Sequence, residues 1–210
     1  MKSEIDYTLY LVTDRDLMST PTLEDGVRAA CEGGTTLVQL REKHAGHDEF
    51  ARIARSVKSI CDEFDVPLIV NDAVDVALEV GAAGVHVGQD DMPLAEVRRL
   101  VGPDRIVGVS ASSLQEALAA QEGGADYLGV GAMTFTPTKP DAKVVSRDEL
   151  NAILEAVDIP CVVIGGVNAK SIPSYAGLPL AGFAVVSAII AAPDVCAAAR
   201  ELRELIARGR

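Results

Sequence analysis

The stretch TLVQLREKHAGHDEFARIARSVKSICDEFDVPLIVND, residues 36–72, decides how the chain folds. It opens on a short apolar run at 36–40 and closes on another at 67–71. Between them the period changes: Phe50, Ile53, Ala54, Val57, Ile60, Cys61 and Phe64 fall at i, i+3, i+4 and i+7 steps, one apolar stripe along a helix. The flanking runs are continuous rather than alternating, as strands buried on both faces are. A strand, a helix and a second strand in this order form a crossover between parallel strands.

The same unit repeats in both directions. Strand-length apolar runs lie at 9–13, 36–40, 67–71, 84–87, 106–109, 127–131, 161–164 and 183–187. The last helix repeats the stripe with Val195, Ala199, Leu202 and Ile206. Ser113 with Glu116, and Ser146 with Glu149, have capping-box spacing, which marks helix starts. Helix-ending glycines precede strands at Gly33-Gly34, Gly81, Gly123-Gly124 and Gly177. One unit per about 26 residues is close to the minimum for compact β/α repeats. No Pro/Ser-rich linker divides residues 1–210, so the expectation is an α/β protein with a single (β/α)8 barrel, the TIM barrel. A doubly wound open sheet is the alternative, because strand order is not contained in periodicity.

Composition narrows the function. Hydrophobic residues make up 49% of the chain and aromatics 4%, a core of Val, Ile, Leu and Ala such as layered parallel sheets use. The formal net charge is −12, which argues against nonspecific nucleic-acid binding. Cys31, Cys61, Cys161 and Cys196 are far apart in sequence and form no metal-type pair, so they are expected to be free thiols in a reducing cytosol. Lys2, Glu4 and Asp6 break up the first residues, and no apolar run approaches a membrane span. A cytoplasmic protein is the expectation, with small-molecule partners, no nucleic acid and no membrane.

In such barrels the chemistry lies at the carboxyl ends of the strands. Strand two ends in Gln39-Leu40-Arg41-Glu42-Lys43; as alternate residues, Gln39, Arg41 and Lys43 would share the mouth and suit a diphosphate. A solvated charged loop is the plainer reading. Strand three ends in Asn71-Asp72 and strand four runs through His86 and Gly88-Gln89 into Asp90-Asp91. Two carboxylates from adjacent strand ends are what Mg²⁺ needs, with waters and substrate phosphate completing the octahedron. Both aspartates also suit helix N-caps, Asp91 because Met92-Pro93-Leu94 opens a helix. His86 is either a hydrogen-bonded core histidine or a catalytic one. Thr134-Phe135-Thr136-Pro137-Thr138-Lys139-Pro140 follows strand six, and its hydroxyls and lysine can hold a phosphate. Gly165-Gly166 and Val186-Ser187 end strands seven and eight, where barrels recurrently bind phosphate; the glycines also suit tight turns.

These segments, in this order and spacing, together with Tyr10-Leu11-Val12-Thr13-Asp14 and Gly108-Val109-Ser110, resemble the thiamine phosphate synthase family over nearly the whole chain. The resemblance implies a transferase that joins an aminopyrimidine-methyl diphosphate to a thiazole phosphate, giving thiamine phosphate and diphosphate. It implies that Gln39, Leu40, Arg41, Glu42, Lys43, Asn71, Ser110 and Lys139 hold the pyrimidine diphosphate, and that Asp72 and Asp91 bind Mg²⁺. Thr136, Pro137, Thr138, Gly166, Val186 and Ser187 would bind the thiazole phosphate. Lys139, Arg41, Lys43 and Ser110 would stand nearest the chemistry, in which diphosphate leaves before the thiazole nitrogen attacks.

Three positions depart from the family pattern. Ser112 stands where a histidine is usual, Ala132 where a proline is usual, and Thr134-Phe135 where an aromatic-proline pair is usual. They touch the pyrimidine-side packing and the sixth loop. Rival readings are a thiazole tautomerase, a silent paralogue that senses thiazole phosphate, and another phosphate-handling aldolase or isomerase. A tautomerase or sensor has no need of Asp72, Asp91 and Thr138-Lys139, and none of the expected strands carries the lysine an aldolase uses.

Overall fold

The computed structural model describes residues 4–135 and 143–209. Eight parallel strands close into a barrel in sequence order: β1 Leu9–Val12, β2 Leu37–Leu40, β3 Leu68–Asn71, β4 Gly84–Val87, β5 Ile106–Ala111, β6 Tyr127–Val130, β7 Cys161–Val163 and β8 Gly182–Val185. Closure comes from β8 pairing with β1, Leu11 opposite Val185, which removes the open-sheet alternative. Helices α1 (Leu23–Glu32), α2 (His47–Glu63), α3 (Val74–Glu79), α4 (Leu94–Val101), α5 (Leu114–Glu122) and α6 (Arg147–Ala156) follow strands one to six. A single 3-10 turn, Ile172–Tyr175, replaces a helix after β7. After β8 come a short α7 (Ser187–Ile190) and the long α8 (Val195–Gly209).

Each strand is apolar on both faces because each face meets a different core. Leu9, Leu11, Val38, Leu40, Val85, Val107 and Leu128 pack outward on the helices. Tyr7, Tyr10, Leu37, Ile69, Ile106, Tyr127, Val162 and Ala184 fill the barrel interior. Interdigitation there depends on size. A Cβ added at Gly108 would lie 2.1 Å from Tyr127 Cζ, so the glycine makes room for that ring. Gly108→Ala is expected to cost about 1–3 kcal/mol, as overpacking does, and to lower the melting temperature; an unchanged melting curve would mean the ring moves freely.

The helix starts obey the expected caps, with a difference. Ser113 Oγ and Ser146 Oγ accept from the N–H groups of Glu116 and Glu149. The glutamates do not return to those cap residues. Glu116 takes the Ser112 N–H at 2.6 Å, and Glu149 takes the Leu114 N–H at 2.6 Å, tying α6 to α5. Thr22 caps α1 in the same way. All four cysteines are free. Cys31 and Cys61, thirty positions apart, are brought together by α1 against α2 so that one thiol hydrogen-bonds the other; that contact, with burial, raises the Cys61 pKa.

Candidate active site

The carboxyl ends of the strands surround a cavity of about 360 Å³. Strand alternation decides which side chains reach it. Gln39, Asn71, His86 and Ser110 come from inward positions of β2 to β5, and Gly129 and Ile164 continue the ring across β6 and just past β7. Leu40 has the opposite parity: it is fully buried against the helices, so its side chain does not face the cavity.

The Gln39–Lys43 segment divides for the same reason. β2 ends at Leu40, so Arg41 to Lys43 are loop residues and do not alternate as a strand would. Arg41 lines the cavity, its N–H held by Thr13 Oγ1 at 3.0 Å. Lys43 lies instead in an adjoining pocket of about 110 Å³. There the buried Asp14 carboxylate stands 3.7 Å from Arg41 and 3.5 Å from Lys43. Glu42 turns away from the cavity; its side chain is 3% exposed and ion-paired with Arg15 at 2.7 Å. Burial pushes its carboxyl above the usual carboxylate range despite that partner.

The acidic wall comes from β3 and β4. Asp72 sits at φ 61°, a left-handed conformation, with its N–H bonded to His86 O at 2.9 Å. Its Oδ2 accepts from Asn71 Nδ2 at 2.5 Å. The N-cap reading fails for both aspartates. Ala73 and Pro93 occupy the cap positions of α3 and α4, and neither helix has a side-chain cap. Asp91 Oδ2 instead accepts from the Gly88 N–H at 2.7 Å. Asp72, Asp90 and Asp91 all line the cavity, hard oxygen donors of the kind Mg²⁺ takes.

Across the cavity stand Gly131, Ala132, Gly165, Gly166, Val186 and Ser187. The Gly131–Ala132 peptide is cis, at the position where a proline was expected from the resemblance. β8 ends at Val185, two residues earlier than its apolar run suggests, and Ser187 instead opens α7. The backbone N–H groups of Gly166, Val186 and Ser187 donate to no described residue. Gly166 has φ 74°, and a Cβ there would lie 2.5 Å from Thr134 Oγ1. Both turn geometry and neighbour therefore require glycine. Gly166→Val is expected to lose at least about 1–2 kcal/mol of stability from the left-handed backbone alone, seen as a lowered melting point. A variant with wild-type melting and a selective binding defect would contradict this. Thr136, Pro137, Thr138 and Lys139 lie outside the described residues. Thr134 and Phe135 do not: Thr134 Oγ1 stands next to Gly166, and Phe135 is 70% exposed.

His86 is the hydrogen-bonded core histidine, 8% exposed, with Nδ1 2.9 Å from Tyr127 Oη and Nε2 2.9 Å from Ser110 Oγ. Tyr10 Oη meets Tyr127 Oη at 2.7 Å and accepts from Gln39 Nε2 at 2.8 Å. Tyr127 carries no mark in the sequence that separates it from core residues, and Tyr10, Asp14 and Gln89 enter only as parts of the segments that carry the resemblance, with no role assigned to them. Gln89 holds the Ser110 carbonyl through its amide at 2.6 Å. Ser112 turns its hydroxyl to Glu116, away from the cavity. Among the described residues no group of three or more His, Cys, Asp or Glu forms a ready metal cluster, and no helix is long and apolar enough to cross a membrane.

Fold and site together define a (β/α)8-barrel enzyme whose strand-end cavity sets an acidic wall against backbone amides that donate to no described residue. Residues 9–189 match the family model for thiamine monophosphate synthase, and the chain belongs to that family, a family of transferases. It is 56% identical over 203 residues to the thiamine-phosphate synthase of Clostridium beijerinckii, covering 97% of each chain. It is 55% identical over 205 residues to that of Ruminiclostridium cellulolyticum, covering 98% of each. A solved structure, the thiamine phosphate pyrophosphorylase from Pyrococcus furiosus, superposes with a TM-score of 0.88 at 40% identity, covering 97% of this chain and 96% of that one. The 3-hexulose-6-phosphate synthase from Salmonella typhimurium, at 16% identity and a TM-score of 0.68, shares the fold over 97% of this chain and all of its own.

Proposed function

We propose that this protein synthesises thiamine phosphate from 4-amino-2-methyl-5-(diphosphooxymethyl)pyrimidine and 4-methyl-5-(2-phosphooxyethyl)thiazole, releasing diphosphate. The observation that carries the reading is the division of one cavity. Arg41 and three carboxylates lie on the β2–β4 side, and on the β7–β8 side stand the N–H groups of Gly166, Val186 and Ser187, which donate to no described residue. Two phosphorylated substrates meeting head to head need two separate anion sites. A cavity of about 360 Å³ is within the range of small-molecule sites.

Asp72 and Asp91 would hold Mg²⁺ against the diphosphate, which would lie on Arg41 and the outer Lys43 with Asn71 beside it; Lys139 is assigned to the same group from the sequence. The oxygen donor set fits that ion. When bound it neutralises charge on the diphosphate oxygens. The carbon–oxygen bond breaks towards diphosphate, which keeps the electron pair, and the pyrimidine ring spreads the positive charge left on its methylene. The thiazole nitrogen then donates its lone pair to that carbon, while Ile164, Ala132 and Val167 keep water from the cation. The thiazole phosphate would rest on the Gly166, Val186 and Ser187 amides, the group to which Thr136, Pro137 and Thr138 are assigned from the sequence. The protein works in the cytoplasm, in keeping with four unbonded thiols, two of them in contact.

Calorimetric titration tests the two-site arrangement. Each substrate should bind alone, the pyrimidine diphosphate only with Mg²⁺ and the thiazole phosphate without it. Binding of the thiazole phosphate alone, with no Mg²⁺-dependent diphosphate site, would favour a sensor instead.

A further inference from the structure

The barrel interior carries a line of polar side chains whose hydrogen bonds have a direction. Gln39 is 4% exposed, Tyr10 1%, Tyr127 0% and His86 8%, so no bulk solvent is available to satisfy them. The line starts at an amide nitrogen, which can only donate: Gln39 Nε2 gives a proton to Tyr10 Oη at 2.8 Å. Tyr10 has one hydroxyl proton, and its remaining polar neighbour is Tyr127 Oη at 2.7 Å, so it donates there. Tyr127 has then accepted, and its own proton goes to His86 Nδ1 at 2.9 Å. A neutral imidazole that accepts at Nδ1 carries its proton on Nε2, which donates to Ser110 Oγ at 2.9 Å. Burial raises the pKa of both phenols, which keeps their protons in the line.

We infer that Gln39, Tyr10, Tyr127 and His86 form a one-way hydrogen-bond chain that leaves the Ser110 hydroxyl proton pointing into the cavity as a donor. Tyr10, Tyr127 and His86 are positioning residues acting through Ser110. Ser110 lines the cavity and is half-buried, and its carbonyl is pinned by Gln89 Nε2 at 2.6 Å, so backbone and side chain are both fixed. Gln39 lines the same wall, with its amide nitrogen committed to Tyr10. The site therefore selects a substrate edge with an acceptor atom opposite Ser110. This rests on the proposed function only in naming that substrate as the pyrimidine diphosphate.

The reversed chain is the alternative. It would start from the Gln39 carbonyl, put the His86 proton on Nδ1 and make Ser110 donate to the imidazole. Nitrogen NMR of protein labelled in its histidines separates the two, with His86 assigned from the signal lost in His86→Gln. The Nε2-protonated neutral tautomer is expected in the wild-type protein. Tyr127→Phe and, as a second variant, Tyr10→Phe should disturb that tautomer while keeping a cooperative melting curve. Each should raise KM for the pyrimidine diphosphate by up to about tenfold, the worth of one hydrogen bond, and leave KM for the thiazole phosphate unchanged. An Nδ1-protonated His86, or Phe variants with the wild-type tautomer and unchanged KM, would overturn the chain. The tautomer is read without turnover, so it stands or falls separately from the assigned reaction.

Discussion

Asp91→Asn is expected to raise the Mg²⁺ concentration needed for half-maximal turnover by about 10- to 100-fold, the range in which groups that support a metal site act. Stability should hardly change. Asp91 is not the cap of α4, since Pro93 holds that position without a side-chain bond, and the Asp91 contact to the Gly88 N–H survives in an asparagine oxygen. At most one neutral-for-charged hydrogen bond is weakened, worth about 1 kcal/mol. Chelation of the wild-type protein should abolish turnover, and added Mg²⁺ should restore it. Normal turnover of Asp91→Asn at low Mg²⁺ would remove this residue from the metal site and leave its Gly88 contact as its whole role.

Lys139→Ala is expected to cut kcat by about 10²-fold or more, the cost of losing one preorganised group that meets developing charge. A cation that tightens its hold as the diphosphate departs lowers the barrier more than it aids binding of the intact substrate. KM for the thiazole phosphate should therefore stay where it is. A solvated loop lysine would change neither quantity on removal. Turnover of Lys139→Ala at the wild-type rate would reassign leaving-group stabilisation to Arg41 and the metal.

What the sequence shows of the barrel follows from how its strands are buried. Because both faces are covered, each strand is a continuous apolar run, and all eight can be placed to within about two residues by that signal. The same continuity hides which face is which. Leu40 and Gln39 are neighbours in one apolar run, yet Leu40 meets the helices and Gln39 the cavity. Only pairing register fixes that parity, and register is a property of two strands rather than one. Lys43 shows the matching failure beyond a strand end: alternation no longer holds, and the side chain swings to Asp14. The run at 183–187 conceals the opening of α7 because Val186 and Ser187 are no less strand-like than the residues before them.

Polar residues at strand ends were more legible than polar residues within strands. Asp72, Asp91, Arg41 and Ser110 stand out against apolar neighbours, and the structure brings all four to one cavity. Tyr10 and Tyr127 do not stand out, because a tyrosine in an apolar run is indistinguishable from any core aromatic until its hydroxyl has a partner. Their partners lie 117 positions apart. The helix after β7 is replaced by a 3-10 turn containing Pro173, and no apolar stripe at 166–181 predicts more than that.

The joining reaction itself can be measured directly. Purified protein, both phosphorylated substrates and Mg²⁺ are to be mixed, and thiamine phosphate and diphosphate followed by chromatography. The two products are expected in equal amounts, and neither when either substrate is left out. Diphosphate release without thiamine phosphate, or no reaction from folded protein that binds the thiazole phosphate, would contradict it.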